Sequence, residues 1–254
     1  MDHIKFGEYP QTVKAEDVTV TDIRDERGYY IGSDGCRYAT VTATPHESGF
    51  RFSTGAPIVK GETYYFKVEP ICWSVLAERE GAAFLLCENA IANHRFAEKS
   101  NNYAESEIRR WLNSTFLDTA FSVEEQARII RSKVDNSVAS TGYTKNEYAC
   151  EDTEDRVFLM SHADITKIEY GFSAGYSEDD DRTRVTSDYS RATGAYIDTN
   201  GECYGNGYWW LRSPGDAKSF ARVRAVFGNG VSDYSYYYPN GDYGSVVPAL
   251  WMKL

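Results

Sequence analysis

The sequence predicts a single α+β domain over residues 1–254, β-rich with a few short helices. Three observations carry that expectation. Residues 1–87 hold short β-branched and aromatic runs broken by Gly- and Asp-bearing turns, the pattern of hairpins. Residues 88–170 place apolar residues at helical spacing. The last fifth of the chain sets two Trp-bearing blocks, Tyr208-Trp209-Trp210-Leu211-Arg212-Ser213-Pro214-Gly215 and Gly244-Ser245-Val246-Val247-Pro248-Ala249-Leu250-Trp251, around a middle of different composition.

In chain order, strands are expected at 18–20, 28–32, 37–41, 63–68, 72–76 and 83–87, with Ser33-Asp34-Gly35 and Glu80-Gly81 as turns. Ile108, Trp111, Leu112 and Phe116 predict a helix over 104–116, and the capping box Ser122-Val123-Glu124-Glu125 opens a second to about residue 130. Residues 156–160 read as a buried strand, with Ser161 and Asp164 around a helix start. Residues 171–207 read as a polar loop region containing the acidic run Glu178-Asp179-Asp180-Asp181. Such a run could gather calcium, but Arg182 and Arg184 follow it and EF-hand spacing is absent, so a solvated loop is expected.

At 42% hydrophobic and 15% aromatic, the chain has ample material for a core. A net charge of −11 and the lack of any Lys and Arg cluster argue against nucleic acid or a membrane surface as partner. Residues 1–7 carry no apolar run of signal-peptide length, so the chain as encoded is expected in the cytoplasm, although association with a virion would leave no mark. Cys36, Cys72, Cys87, Cys150 and Cys203 are odd in number and scattered, which suits reduced thiols and predicts neither a disulfide framework nor a metal site.

Motifs of catalysis are sparse. Gly171-Phe172-Ser173-Ala174-Gly175 matches GxSxG, but acidic loop follows it and the last His, His162, precedes the Ser, so the hydrolase order fails. His3, His46, His94 and His162 form no HxxxH or HExxH pair, and neither a phosphate loop nor a GxGxxG fingerprint occurs. No catalytic residue and no cofactor is therefore predicted. A Cys nucleophile with a distant His stays open, with Cys72 and Cys87 disfavoured by their apolar runs.

From Ser232 to Tyr243 there are five Tyr in twelve residues, where 20 in 254 predicts about one. Tyr offers a large, stiff, amphipathic contact area, and the surrounding Ser, Asn, Asp and Gly offer adaptable hydrogen bonding. The competing explanation is a sheet with Tyr on exposed strand faces. The consecutive Tyr236, Tyr237 and Tyr238 would occupy both faces of a strand, which favours a loop or sheet edge.

Taken together, Ile4-Lys5-Phe6-Gly7-Glu8-Tyr9-Pro10, Glu69-Pro70-Ile71-Cys72-Trp73-Ser74-Val75-Leu76, Ser106-Glu107-Ile108-Arg109-Arg110-Trp111-Leu112-Asn113, Asp155-Arg156-Val157-Phe158-Leu159-Met160-Ser161 and the two C-terminal blocks form an ordered set. The set resembles a bacterial and prophage family known only as a domain of unknown function. The resemblance implies a fold similar to C-type lectins and formylglycine-generating enzymes, and a role as target protein of a diversity-generating retroelement, which scatters codons of a C-terminal repeat while framework codons stay fixed. It implies varied, ligand-binding positions at Phe220, Arg222, Arg224, Phe227, Asn229, Ser232, Asp233, Tyr234, Ser235, Tyr236, Tyr237, Tyr238, Asn240 and Asp242. Ala221, Val223, Ala225, Gly228, Gly230, Val231 and Gly244 would be framework.

The chain also departs from these relatives. Glu69-Pro70 is followed by Ile71, and Trp-Asn-Asp is absent, so calcium-dependent sugar binding is not expected. Cys203 is the only cysteine after Cys150, short of the reactive pair of formylglycine-generating enzymes. The expected function is recognition, without catalysis, of an unidentified protein or surface ligand by Tyr and Phe anchors with Arg222 and Arg224, on a scaffold tied by Trp209, Trp210 and Trp251. The alternatives are an enzyme of formylglycine-generating type or an unrecognised hydrolase, and a structural phage or cell-surface module.

Overall fold

Strand formation begins earlier than the sequence suggests. In the computed structural model, which describes residues 2–215, 222–233 and 238–254, β1 runs over His3–Val13. It pairs antiparallel with one long strand. Its inward residues Phe6 and Tyr9 are buried, but Gly7 and Pro10 interrupt the alternation that would mark a strand. Gly7 has φ +69°, and a Cβ there would lie 2.5 Å from the Phe121 ring, so the bulge between Lys5 and Glu8 requires glycine.

β2 (Val20–Arg24), β3 (Tyr30–Gly32) and β4 (Arg37–Thr42) follow as a meander. The expected strands 63–68 and 72–76 are one strand, β5 (Thr63–Arg79), passing through Pro70. Pro70 is tolerated because β4 pairs with β5 only up to Lys67, and β6 (Ala82–Cys87) only from Trp73. Glu80 (φ 51°) and Gly81 (φ 75°) make the two-residue turn between β5 and β6, both left-handed as such a hairpin demands. Short strands β7 (Asn89–Ala90) and β8 (Ala92–Asn93) complete the first half.

The helical part starts at Glu107, where Ser106 caps α1 (Glu107–Trp111) by accepting from the Arg109 amide. The helix widens into a π turn at Leu112–Phe116 and continues as α2 (Leu117–Ala120), beyond the expected end. Ile108, Leu112 and Phe116 are buried, and Trp111 is half-buried. The capping box at Ser122 forms, but α3 (Val123–Arg128) stops short of the expected residue 130. Ile129 and Ile130 instead form β9, pairing with Met252 and Trp251. Two β-branched residues beside a strand edge gain more from sheet pairing than from another helical turn.

β10 (Ser132–Val134) pairs with β11 (Thr153–Asp155). The expected buried strand at 156–160 is β12 (Val157–Phe158), which pairs with the C-terminal strand. The polar region contains β13 (Val185–Thr186) and α4 (Asp188–Ala192), the latter capped by Ser187. The last fifth supplies β14 (Trp209–Pro214), β15 (Val223–Val226), β16 (Ser232–Asp233), β17 (Ser245–Val246) and β18 (Ala249–Lys253).

Among the described residues one sheet runs β12-β18-β6-β5-β4-β3-β2, with β1 also on β5 and β9 also on β18. A second runs β16-β15-β14-β17-β8. The fold is therefore α+β and β-rich, with its first and last strands in the same sheet. The core lies between these elements and includes all three framework tryptophans. The indole N–H of Trp209 donates to the Arg182 carbonyl (3.1 Å) and that of Trp210 to His94 (2.9 Å). Trp251 stacks on Phe84 at 5.0 Å under the Arg79 guanidinium. No described helix is long and apolar enough to cross a membrane.

Candidate functional site

β15 is sandwiched between β14 and β16, so its residues Val223 to Val226 are all buried. Arg224 leaves that strand beneath a cleft of about 380 Å³ that Tyr143, His162, Tyr176, Ser232 and Asp233 also line. Its guanidinium lies over the Tyr143 ring, 5.3 Å from the centroid, and Nη2 donates to Tyr143 Oη at 3.0 Å. Ser232 Oγ is 3.0 Å from His162 Nδ1, and the Ser232 amide donates to the Tyr176 carbonyl at 3.1 Å. The His162 amide donates to Ser213 Oγ (2.9 Å), which donates on to the Ser140 carbonyl (3.2 Å), so the first framework block holds the cleft floor. Tyr176, 66% exposed, stands at the mouth.

Burial and the nearby cations Arg224 and Arg182 push His162 down to about 3, so the imidazole is neutral near pH 7. The cleft thus offers one fixed cation, a neutral imidazole, two phenols and the Asp233 carboxyl: groups that orient a polar ligand. The Ser232–His162 contact has the distance of a nucleophile and base, but a general base must become an imidazolium, which both guanidiniums oppose.

The other candidate positions fall into separate settings. The Arg222 guanidinium lies 4.4 Å from the centroid of the Tyr238 ring, and Tyr238 is 48% exposed. Asn240 and Asp242 are exposed beside them, and Asp242 borders a second cleft, of about 510 Å³, with His46, Asn93 and His94. Phe227 is turned inward, stacking on Tyr208 at 5.1 Å. Asn229 donates to Glu178 of the acidic run (2.8 Å). Arg224 and Ser232 are 5% and 3% exposed, so they form cleft wall rather than outer surface. Phe220, Tyr234, Ser235, Tyr236 and Tyr237, with the framework position Ala221, lie outside the described residues.

Tyr143, His162 and Tyr176 were not predicted as site residues; nothing local marks them, because the His162 partners Ser213 and Ser232 are 51 and 70 residues away. The expectation of a solvated acidic loop needs correction. Asp179 is buried and pairs with Arg182 (3.2 Å), whose side chain is fully buried, while Glu178, Asp180 and Asp181 are exposed. Arg184 is also buried and donates to the carbonyls of Cys87, Asp181 and Thr183 rather than to a carboxylate. In the GxSxG stretch, the Ser173 and Gly175 carbonyls both accept from Arg182, so the segment is a tether for that cation. All five thiols are free, and burial pushes Cys87 up to about 12.

Residues 80–254 match the family described as Domain of unknown function (DUF6273). No curated protein and no solved structure matches the chain.

Proposed function

The chain belongs to the DUF6273 family, which matches residues 80–254, and on that premise we propose that it is a ligand-binding protein whose C-terminal segment forms a diversified recognition surface on a C-type-lectin-like scaffold. The observation that carries this reading is the contrast within the last fifth of the chain. Trp209 and Trp210 are fully buried and Trp251 nearly so, whereas Arg222, Tyr238, Asn240 and Asp242 between them reach solvent, with an aromatic ring and a guanidinium already stacked. Exposed Tyr and Arg on a rigid frame are the residues that dominate recognition energetics. The Arg224 cleft adds a concave subsite with a cation at its base. The scaffold reading draws support from the first and last strands sharing one sheet.

If the segment serves recognition, its exposed positions are free to change. The triple substitution Tyr238→Ser, Asn240→Ser and Asp242→Ser is expected to change unfolding free energy by less than about 1 kcal/mol, loss of an exposed cation–π contact included. Urea titration measures it. A loss of about 3 kcal/mol or more would mark these residues as framework and contradict the reading.

A second reading, a hydrolase built on Ser232 and His162, is favoured by their 3.0 Å contact. The depressed basicity of His162 weighs against it.

A further inference from the structure

Away from that surface, four arginines from three separate stretches of sequence converge on one cleft of about 360 Å³: Arg109, Arg110, Arg131 and Arg156. The chain carries 38 acidic and 27 Lys and Arg residues, so a carboxylate partner for every cation is available in principle. Only Arg109 has an ion-pair partner here among the described residues, Asp155 at 2.8 Å, and Asp155 also accepts from Thr153 Oγ1. Arg110 donates to the Glu105 carbonyl (2.6 Å) and has no ion-pair partner among the described residues. Among the described residues the guanidiniums of Arg131 and Arg156 make no hydrogen bond or ion pair, and both residues are exposed. Glu154 is the remaining acid on the cleft wall, so three cations without an ion-pair partner among the described residues face one carboxylate.

The walls are held in place. Asn113, on the π turn, accepts from the Arg156 amide (2.8 Å) through Oδ1 and donates to the Val157 carbonyl (2.8 Å) through Nδ2. It also donates to the Arg109 carbonyl (3.1 Å), so one side chain locks the helix bearing two arginines to the strand junction bearing a third. Buried Leu117 lies below. Like charges gathered by a rigid frame repel one another unless an anion joins them, and guanidinium forks match oxyanions in geometry.

We propose that this cleft binds the phosphate group of a small phosphorylated molecule. A phosphate is favoured over a carboxylate because it presents three terminal acceptor oxygens to forks arriving from three directions, where one bidentate arginine already satisfies a carboxylate. The cleft exceeds the size of a phosphate, leaving room for the rest of a small ligand. A long nucleic acid is disfavoured by the net charge of −11 that the whole chain carries, this patch included.

The test is calorimetric titration of the full chain at low salt with inorganic phosphate, glycerol phosphate, succinate and a single-stranded oligonucleotide, with sodium chloride at matched ionic strength as control. Phosphate and its monoester are expected to bind, and succinate more weakly. Arg131→Gln and Arg156→Gln, both at exposed positions, should each weaken phosphate binding about tenfold through loss of a charge-assisted hydrogen bond. Glu154→Gln should strengthen it, and Lys60→Gln, at an exposed position that does not line the cleft, should leave it unchanged. The proposal is overturned if phosphate shows no binding beyond the chloride control, or if succinate or the oligonucleotide binds more tightly. Binding unchanged in both arginine variants, or insensitive to Glu154→Gln, would also overturn it.

Discussion

Replacing Arg182 with Met is expected to cost about 3–5 kcal/mol of stability, the range for breaking a buried charge pair by removing one partner. The side chain has no exposure and pairs with Asp179 at 3.2 Å. It also donates to the carbonyls of Ile165 (2.8 Å), Ser177 (3.1 Å), Gly230 (3.4 Å), Gly175 (2.9 Å) and Ser173. One guanidinium therefore gathers four carbonyls of the 165–177 stretch and joins them to the turn that leads into β16 and the Arg224 cleft. Met fills similar volume but leaves the buried Asp179 carboxylate without its cation, held only by the Ser173 and Asp181 amides (2.8 and 3.1 Å), and several carbonyls without their donor. The double variant Arg182→Met, Asp179→Asn removes the orphan charge and should recover part of the loss. Urea unfolding of wild type and both variants checks this, and an Arg182→Met loss below about 1 kcal/mol would show the network to be ornamental to stability.

The second large effect is acid sensitivity centred on His162. In the unfolded chain its imidazole protonates near the ordinary value of 6.5, whereas burial and the neighbouring arginines hold the folded group down to about 3. Between those values the unfolded state binds the proton and the folded state does not, so stability falls as pH falls. The stability is fully present above about pH 6.5. At pH 5 the loss amounts to about 2 kcal/mol, at roughly 1.4 kcal/mol per pH unit across about 1.5 units. Burial also lowers His94, which adds in the same direction. Unfolding free energy measured from pH 7.5 to 5 should therefore slope less steeply in His162→Gln than in wild type. Parallel curves would show that His162 is not the group responsible.

What local sequence could reveal was local physics. The capping box at Ser122, the hairpin at Glu80-Gly81 and the inward spacing of Ile108, Leu112 and Phe116 depend on neighbours a few residues apart, and each forms as expected. The Trp209-Trp210 block was legible because two tryptophans in an apolar run have little alternative to burial. β1 was hidden by Gly7 and Pro10, whose roles depend on Phe121 and on the bulge opposite β5. α3 ends before residue 130 because the competing partner of Ile129 and Ile130 lies at the other end of the chain, at Trp251 and Met252, out of reach of local sequence. Arg182 and Arg184 in a polar run look like surface cations, and only the fold supplies the carbonyls that make their burial affordable. For the same reason the absence of a basic cluster held along the sequence and failed in space, where Arg109, Arg131 and Arg156 meet. The candidate positions divide likewise: Tyr238, Asn240 and Asp242 are exposed, whereas Arg224 and Ser232 are drawn into a cleft by His162 and Tyr143.

Deep sequencing of the last fifty codons in a population of source cells, with the flanking DNA, tests whether the segment between the two framework blocks is a diversified recognition surface. Substitutions are predicted to accumulate at positions such as Arg222, Asn229, Asp233, Tyr238, Asn240 and Asp242, with a near-copy repeat close by. Codons for Trp209, Trp210, Gly215 and Trp251 should stay fixed, since their residues are buried. An invariant segment with no repeat nearby would contradict diversification and leave a fixed binding surface in its place.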